Sequence, residues 1–346
     1  MKRWFFIGKK IGTVRVLLIL SLIFSTIVFA VGLAEGQEKS QKIYEIKFAQ
    51  LMDTSHHYQY GAEKFKELVE KGSDGRIQVE IFPNAQLGAE REELVGMQLG
   101  SIQMTIATSA ILSTFVPEFS IVDLGYLFKD NKEAQKVLNG ELGNKLSEKM
   151  LPIGIRNLGF IDCGFRNVYG QKAFTTPDDL KGTKIRLMAT PAHQELFKAL
   201  GANPIPMAWT EVYTGLQQGT VDAAENVVDV YYSSKHDEVA KHYSWTNHVY
   251  LGVMFMISEK FYQDLPSDLQ ELVADSAKKA ISYENGVFIE KEKEAIEKLG
   301  NAGVVFHDVP NIEAFQNLAK KSWEVMAQTI PEGKENLDII MKSLKE

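Results

Sequence analysis

Cysteine is almost absent from this 346-residue sequence, which contains only Cys163. A single cysteine excludes a disulfide within the chain, and without a cysteine near the N-terminal apolar segment a lipid cannot be attached there. The sequence also has no G-x-G-x-x-G after a strand, no P-loop, no H-E-x-x-H and no G-x-S-x-G. These absences argue against nucleotide-dependent, zinc-protease and serine-hydrolase chemistry. Nothing near Cys163 supports thiol catalysis, so the sequence predicts a protein that is not an enzyme and needs no cofactor.

Residues 1–34 differ from the rest of the chain. They hold five basic residues, no acidic residue and an uncharged apolar run from Val16 to Val31. This arrangement predicts a secretory signal peptide, with a retained membrane anchor as the alternative. No second apolar run of spanning length follows, so we expect the protein not to form a pore. Without residues 1–34 the formal net charge changes from −7 to −12. An acidic exported protein has no electrostatic reason to bind nucleic acid, and we expect it in the free periplasm.

The stretch Thr183–Asn226 is the most informative part of the sequence. Residues Lys184 to Met188 alternate, which places Ile185 and Leu187 on one face of a short strand and Arg186 on the other. Helix start and stop signals then predict two short helices, each followed by an extended segment. Strand, helix, strand, helix, strand is a right-handed crossover arrangement, and such arrangements bind ligands at the carboxyl ends of their strands.

The run GANPIPMAWTEVYTGLQQGTVDAAEN, residues 201–226, resembles the diagnostic segment of the DctP-type solute-binding proteins of tripartite ATP-independent periplasmic (TRAP) transporters. The similarity continues through DDLKGTKIR before it and WTNHVY after it, and more loosely from about Ile43 to the C-terminus. It implies an α/β, two-lobed periplasmic-binding-protein-like fold with mixed sheets, crossover strands and a long bracing helix. It also implies capture of an organic acid anion, a C4-dicarboxylate or a sugar acid, and its delivery to a membrane permease for ion-gradient-driven uptake. A ligand-sensing protein of a signalling receptor and a secreted enzyme are the alternative classes.

Two discontinuous lobes with the ligand cleft between them are expected. Lobe I is predicted to comprise residues 40–163 with 252–291, and lobe II residues 164–251 with 292–346. A helical pattern opens with a capping box at Ser267 and continues to Leu299, with Gly286 as a potential break. A helix of this length exceeds one lobe, so we expect it to brace both. A monomer is favoured.

The resemblance implies ligand contacts from the second lobe. Arg186 matches the family arginine that clamps the ligand carboxylate, for which a planar guanidinium is suited; an inter-strand salt bridge is the structural alternative. Arg166 matches a second arginine of the same site, with a surface strand arginine as the alternative. Asn226 matches an asparagine that hydrogen-bonds the carboxylate. Trp209 stands where relatives carry an aromatic pocket residue, and core packing is its alternative.

Three residues of the first lobe are further candidates. Glu90, in LGAERE, matches a polar position that often contacts the ligand in relatives, and a solvated acid at a helix start is the alternative. Thr108 and Ser109 end a predicted strand where relatives make ligand contacts from this lobe. The sequence therefore predicts that Glu90 and Thr108 face the second-lobe residues across the cleft.

Other polar residues carry weaker signals. Leu51 replaces an asparagine found in sialic-acid-binding members, which argues against sialic acid and favours smaller carboxylates. His56 and His57 follow near the lobe interface, where a ligand hydrogen bond competes with packing and capping at a helix entry. Asp222 and Glu225 are two acids three residues apart, for which a solvated edge is favoured over a cation site. No metal ligand is assigned.

Overall fold

The computed structural model describes residues 42–345, so the predicted signal peptide lies outside the described part of the chain. In this part, nine strands form one mixed sheet. The strands are β1 (Tyr44–Gln50), β2 (Ile77–Phe82), β3 (Met104–Thr108), β4 (Ile155–Gly170), β5 (Lys184–Leu187), β6 (Asn203–Pro206), β7 (Ala223–Asn226), β8 (His242–Ser258) and β9 (Val305–His307). The α-helices are α1 (His57–Gly72), α2 (Glu90–Leu99), α3 (Ser109–Leu112), α4 (Asn131–Leu138), α5 (Glu141–Met150), α6 (Pro177–Leu180), α7 (Pro191–Ala199), α8 (Val212–Gln217), α9 (Val228–Ser233), α10 (Glu259–Gln263), α11 (Ser267–Asn301), α12 (Ile312–Thr329) and α13 (Gly333–Ser343). Short 3-10 segments lie at Pro117–Ile121, Leu151–Ile153, Trp209–Glu211 and His236–Glu238.

The sheet has the strand order β2-β1-β3-β8-β4-β7-β5-β6, and β9 pairs with β8. Strands β1, β2 and β3 are parallel at one end, and β5, β6 and β7 are parallel at the other. Strands β4 and β8 join the two groups through antiparallel pairings. The predicted mixed α/β architecture with crossover strands is therefore confirmed, including the parallel arrangement of the stretch around β5.

The side chains of β8 alternate between two packed layers of the core. Val253, Phe255 and Ile257 pack in the layer that holds the apolar residues of α1 and the first half of α11. Met254 and Met256 pack in the opposite layer with residues of α4 and α5. A strand covered on both faces reads as a continuous apolar run, which is how residues 249–257 appear in the sequence. Among residues 42–345 no helix is both long enough and apolar enough to cross a bilayer.

The pairing of β4 with β8 is irregular at three places, and two of them lie beside Arg166. The first falls between Asp162 and Phe165, where Gly164 has φ +72°, a value that favours glycine. The second falls between Arg166 and Val168, whose partners on β8 are Val249 and Ser244. The extra residues of β8 form a bulge that includes His248. Bulges change the direction in which side chains point, and this one places His248 beside Glu225.

Helix α11 is a single element of 35 residues, about 52 Å long at 1.5 Å per residue. Gly286 does not break it, and its neighbours α1, α9 and β4 all contact it. The predicted capping box is wrong, because Pro266 occupies the cap position and Ser267 is the first helical residue. The boundaries of the two lobes, and the bracing of both by α11, stay predictions.

Candidate functional site

A cavity of about 340 Å³ lies where strand ends from both sides of the sheet converge. Thr108 ends β3, Pro206 ends β6, Asn226 ends β7 and Met188 directly follows β5; all four line the cavity. The carboxyl ends of strands in α/β sheets are the usual place for a ligand. All six residues that the sequence assigned to the site line this cavity: Glu90, Thr108, Arg166, Arg186, Trp209 and Asn226.

Arg186 occupies the polar face of β5, as its alternation predicts, and is 2% exposed. Its Nε and Nη2 both donate to the carbonyl oxygen of Met207, at 3.0 and 2.7 Å. Its Nη1 is buried without a hydrogen-bond partner among residues 42–345. Burial lowers the pKa of Arg186 to about 10, so the side chain is still charged at neutral pH. In the described part of the chain Arg186 forms no inter-strand salt bridge, and its buried cation faces the cavity with an unused donor group.

Trp209 covers the guanidinium of Arg186, whose Cζ lies 5.2 Å from the centre of the indole ring. The indole is half-buried and lies against the ring of His236, with the ring centres 4.8 Å apart. The hydroxyl of Tyr169 in turn contacts Nδ1 of His236 at 2.8 Å. This buried chain of rings holds the indole at the cavity wall, where it attracts the cation and shields it from water.

Arg166 is fully buried and forms a forked ion pair with Glu225. Its Nε donates to Oε2 of Glu225, and its Nη2 donates to Oε1 and to the backbone carbonyl of the same residue, each at 2.8 Å. His248 lies 3.2 Å from Oε2, and its Nδ1 contacts the hydroxyl of Thr246 at 2.8 Å. Although burial opposes it, Arg166 together with His248 lowers the pKa of Glu225, which stays ionised. The predicted solvated edge at Glu225 is therefore wrong, and so is a surface position for Arg166.

Asn226 is oriented by this ion pair. Its Oδ1 accepts hydrogen bonds from Nη1 of Arg166 at 3.0 Å and from the backbone N–H of Val227 at 2.9 Å. These two bonds fix the identity of the amide atoms, so Nδ2 is the group left for the cavity. Within residues 42–345 this Nδ2 makes no hydrogen bond. Arg166 thus positions a neighbouring donor and adds positive potential beside it.

Glu90 and Thr108 face these donors from the first group of strands. Oε1 of Glu90 accepts the backbone N–H of Thr108 at 2.8 Å, and Oε2 lies 3.4 Å from the Thr108 hydroxyl. Glu90 is 8% exposed, so the solvated acid is not observed. Burial raises the pKa of Glu90. Ser109 is absent from the cavity lining, and its hydroxyl donates to Oδ1 of Asp123 at 2.5 Å.

Several lining residues were not predicted as contacts. Met52, Tyr58 and Met188 supply apolar wall, and Arg91 lies at the exposed rim with Nη1 2.8 Å from the Thr114 hydroxyl. In the sequence, only the position of Arg91 next to Glu90 in the E-R-E pattern could have indicated that it lines the cavity. Leu51, which the sequence singled out for its apolar character, is also part of the lining.

His56 and His57 are absent from the lining of this cavity. His56 is the N-cap residue of α1, and its Nδ1 accepts the backbone N–H of Tyr58 at 3.3 Å. The predicted capping role of His56 is confirmed. His57 belongs to a separate buried cluster.

The cavity combines an unused guanidinium donor, a free amide donor, an aromatic cover and the carboxylate of Glu90. Arg91, Glu92 and Glu211 also belong to the lining, and most of the remaining wall is apolar. The cavity offers no nucleophile paired with a base within its lining. A mostly apolar cavity with a few convergent polar groups is the usual form of a small-molecule binding site.

The sequence profile of the bacterial extracellular solute-binding protein family 7, DctP, matches residues 48–329. The chain belongs to this family. It is 35% identical over 289 residues to the C4-dicarboxylate-binding periplasmic protein DctP of Rhodobacter capsulatus, covering 82% of this chain and 87% of that protein. It is 30% identical over 314 residues to the 2,3-diketo-L-gulonate-binding periplasmic protein YiaO of Escherichia coli, covering 90% of this chain and 96% of that protein.

Solved structures of TRAP periplasmic solute-binding proteins have the same fold. One from Sulfitobacter with bound β-D-galacturonate has a TM-score of 0.83 at 27% identity, covering 86% of this chain and 99% of that one. Another from Polaromonas, bound to D-erythronate, has a TM-score of 0.82 at 32% identity, covering 86% and 98%. The predicted family, and with it a transport function rather than an enzymatic one, is confirmed.

Proposed function

We propose that the cavity binds a hydroxylated organic acid with its carboxylate on Arg186. The observation that carries this proposal is the buried, charged guanidinium of Arg186. Its Nε and Nη2 both donate to one neutral carbonyl, and its Nη1 has no hydrogen-bond partner in residues 42–345. A buried charge without an opposite charge is costly, and a ligand carboxylate removes that cost. Nδ2 of Asn226 would donate to the second carboxylate oxygen.

Arg166 has a supporting part in this proposal. Its fork is occupied by Glu225, whose carboxylate and backbone carbonyl accept three of its hydrogen bonds, so a ligand would have to compete with these contacts. We therefore assign Arg166 to fixing the amide of Asn226 and to maintaining a positive potential. Trp209 would cover the ligand on the face opposite the strand ends.

Glu90 favours a sugar acid over a C4-dicarboxylate. Its carboxyl group lies in the lining, and burial raises its pKa although Arg166 and Arg186 act in the opposite direction. A carboxylate here accepts hydrogen bonds from ligand hydroxyls but repels a second ligand carboxylate. The galacturonate- and erythronate-bound relatives are consistent with a hydroxylated ligand. A C4-dicarboxylate is the second candidate, because Arg91 at the rim offers another cation and a relative carries that ligand in its name.

The wider setting of the protein is also a proposal. Residues 1–34 would direct export to the periplasm as a cleaved signal peptide, and the loaded protein would deliver its ligand to TRAP membrane permease subunits as a monomer. Closure of lobe I (40–163 with 252–291) onto lobe II (164–251 with 292–346) would enclose the carboxylate. Closure follows ligand binding only if the ligand contacts the closed state better than the open one. Relatives named as periplasmic support the location.

A thermal-shift panel tests the substrate class. The purified protein is mixed with sugar acids, C4-dicarboxylates, 2-oxo acids, amino acids and neutral sugars. A ligand at a hundred times its dissociation constant adds about 2.7 kcal/mol of stability. We expect the largest increase in melting temperature with a sugar acid. An increase with neutral sugars and none with any acid would contradict anion binding, whereas an increase with dicarboxylates alone would move the assignment to the second candidate.

A further inference from the structure

A second polar cluster lies outside the ligand cavity, at the start of α1. His56 and His57 enter α1, Asp229 lies on α9, and Glu284 lies in the middle of α11. The side chains of all four are at most 5% exposed. None of the four lines the ligand cavity.

Three atoms of this cluster converge on one point. Nε2 of His56 and Nε2 of His57 lie 3.3 and 3.1 Å from Oδ2 of Asp229, and one ligand atom from each residue falls within 4.8 Å of the other two. These atoms are close enough to hydrogen-bond, yet within residues 42–345 none of the three meets the directional requirements of a hydrogen bond. Two ligands held about 2.0–2.1 Å from a tetrahedral zinc ion stand about 3.3 Å apart. The two separations from Oδ2 of Asp229 match that spacing.

We propose that His56, His57 and Asp229 form a binding site for Zn²⁺, independent of the organic acid. Two imidazoles and one carboxylate are the ligand types that zinc prefers, and three protein ligands leave a fourth position open. A cavity of about 80 Å³ adjoins the three residues and provides room for a water there. Its other charged lining residues are Lys291, Glu294 and Lys298, and both lysines pair with Glu294.

The contacts around the ligands fit the same assignment. Nδ1 of His57 hydrogen-bonds with Oε1 of Glu284, and its Nε2 faces Asp229. A carboxylate behind a metal-binding histidine is the usual second layer of a zinc site.

Zinc binding has one identifiable cost in this structure. Coordination through Nε2 requires the proton of a neutral His56 to sit on Nδ1, where it faces the backbone N–H of Tyr58. The 3.3 Å capping bond from Tyr58 to His56 is therefore lost when the ion binds. A proton shared among His57, Asp229 and Glu284 without any metal is the competing account, and the experiment separates the two.

The test titrates metal-free protein with Zn²⁺ by calorimetry, with Co²⁺ absorbance as a report of coordination geometry. We expect one ion per chain and a tetrahedral Co²⁺ spectrum. His57→Gln and Asp229→Asn should each weaken binding at least tenfold, and Glu284→Gln should weaken it about 10- to 100-fold. Having three variants keeps the test valid if one of them does not fold.

The matched control is a second histidine pair. Nδ1 of His242 and Nε2 of His307 lie 2.9 Å apart on β8 and β9, partly exposed and without a carboxylate in contact in the described residues. His242→Gln should leave zinc binding unchanged. Absence of stoichiometric binding, equal affinity in the cluster variants, or loss of binding in His242→Gln alone would each overturn the proposal.

Discussion

Replacing Arg186 tests whether this residue binds the ligand or only stabilises the fold. Arg186→Lys keeps the charge but removes the planar fork that reaches the Met207 carbonyl and the cavity at the same time. The variant can satisfy one of these two acceptors, so one charge-assisted hydrogen bond to the ligand is lost. Such bonds contribute about 1.5–3 kcal/mol, which corresponds to a loss of affinity of about ten- to a hundredfold. Arg186→Ala should weaken binding further, because the enclosed carboxylate then has no cation.

Calorimetric titration of the parent and both variants with the acid identified by the thermal-shift panel measures this effect. Arg156 provides a matched control, since it is also a strand arginine that binds through Nε and Nη2, here to Glu259, and lies 4.6 Å from an aromatic ring centre. It is outside the cavity lining, so Arg156→Lys should leave affinity unchanged. Nearly equal affinities of the parent, Arg186→Lys and Arg186→Ala would refute the reasoning, and the site assignment would fall with it.

Three further predictions concern the carboxylates. Glu90→Gln should weaken binding of a sugar acid by about tenfold, which corresponds to the loss of one charged hydrogen bond. Its affinity for a C4-dicarboxylate, measured by the same titration, should not fall. Equal losses of affinity for both ligands would contradict the specificity argument. Glu225→Gln leaves Arg166 buried and unpaired, which should lower the free energy of unfolding by about 3–5 kcal/mol in urea denaturation; an unchanged midpoint would contradict this ion pair. Burial raises the pKa of Asp123 from 3.8 to about 7, so the fold holds this proton more tightly than the unfolded chain and loses stability as the pH rises through that window. Asp123→Asn should therefore gain stability over the parent at pH 8 and gain little at pH 4, and equal gains at both would contradict it.

The site could be assembled from the sequence because its residues sit on short local patterns. Alternation in Lys184 to Met188 predicted the face of Arg186, and Thr108 stood at the end of a predicted short strand. The family resemblance of residues 201–226 connected these patterns to one cavity. The structure brings all six assigned residues to that cavity.

Sequence patterns could not predict which residues these site residues contact in the fold. Glu225 is buried because Arg166, 59 residues earlier, enters the same layer and because a bulge in β8 adds His248. No local rule predicts where a bulge interrupts a long antiparallel pair. Asp222, the other acid of the pattern, is partly exposed at the strand start and accepts the backbone N–H of Lys184.

The errors at α11 have a similar origin. Ser267, followed three residues later by Gln270, satisfies the sequence pattern of a capping box. The cap position is instead Pro266, and Gln270 donates to the carbonyl of Leu265. Gly286 weakens helix propensity, but packing of α11 against α1, α9 and β4 outweighs about 1 kcal/mol of intrinsic preference. Tertiary contacts decided both positions.

The central claim is that Arg186 and Asn226 together hold a ligand carboxylate, and a structure of the complex tests it most directly. The protein would be crystallised with the acid that gives the largest thermal shift. The account predicts a carboxylate oxygen within about 2.7–2.9 Å of Nη1 of Arg186. The second oxygen should contact Nδ2 of Asn226, with a ligand hydroxyl on Glu90. A carboxylate bound elsewhere in the cavity, with only hydroxyl or apolar groups of the ligand against Arg186, would contradict the account.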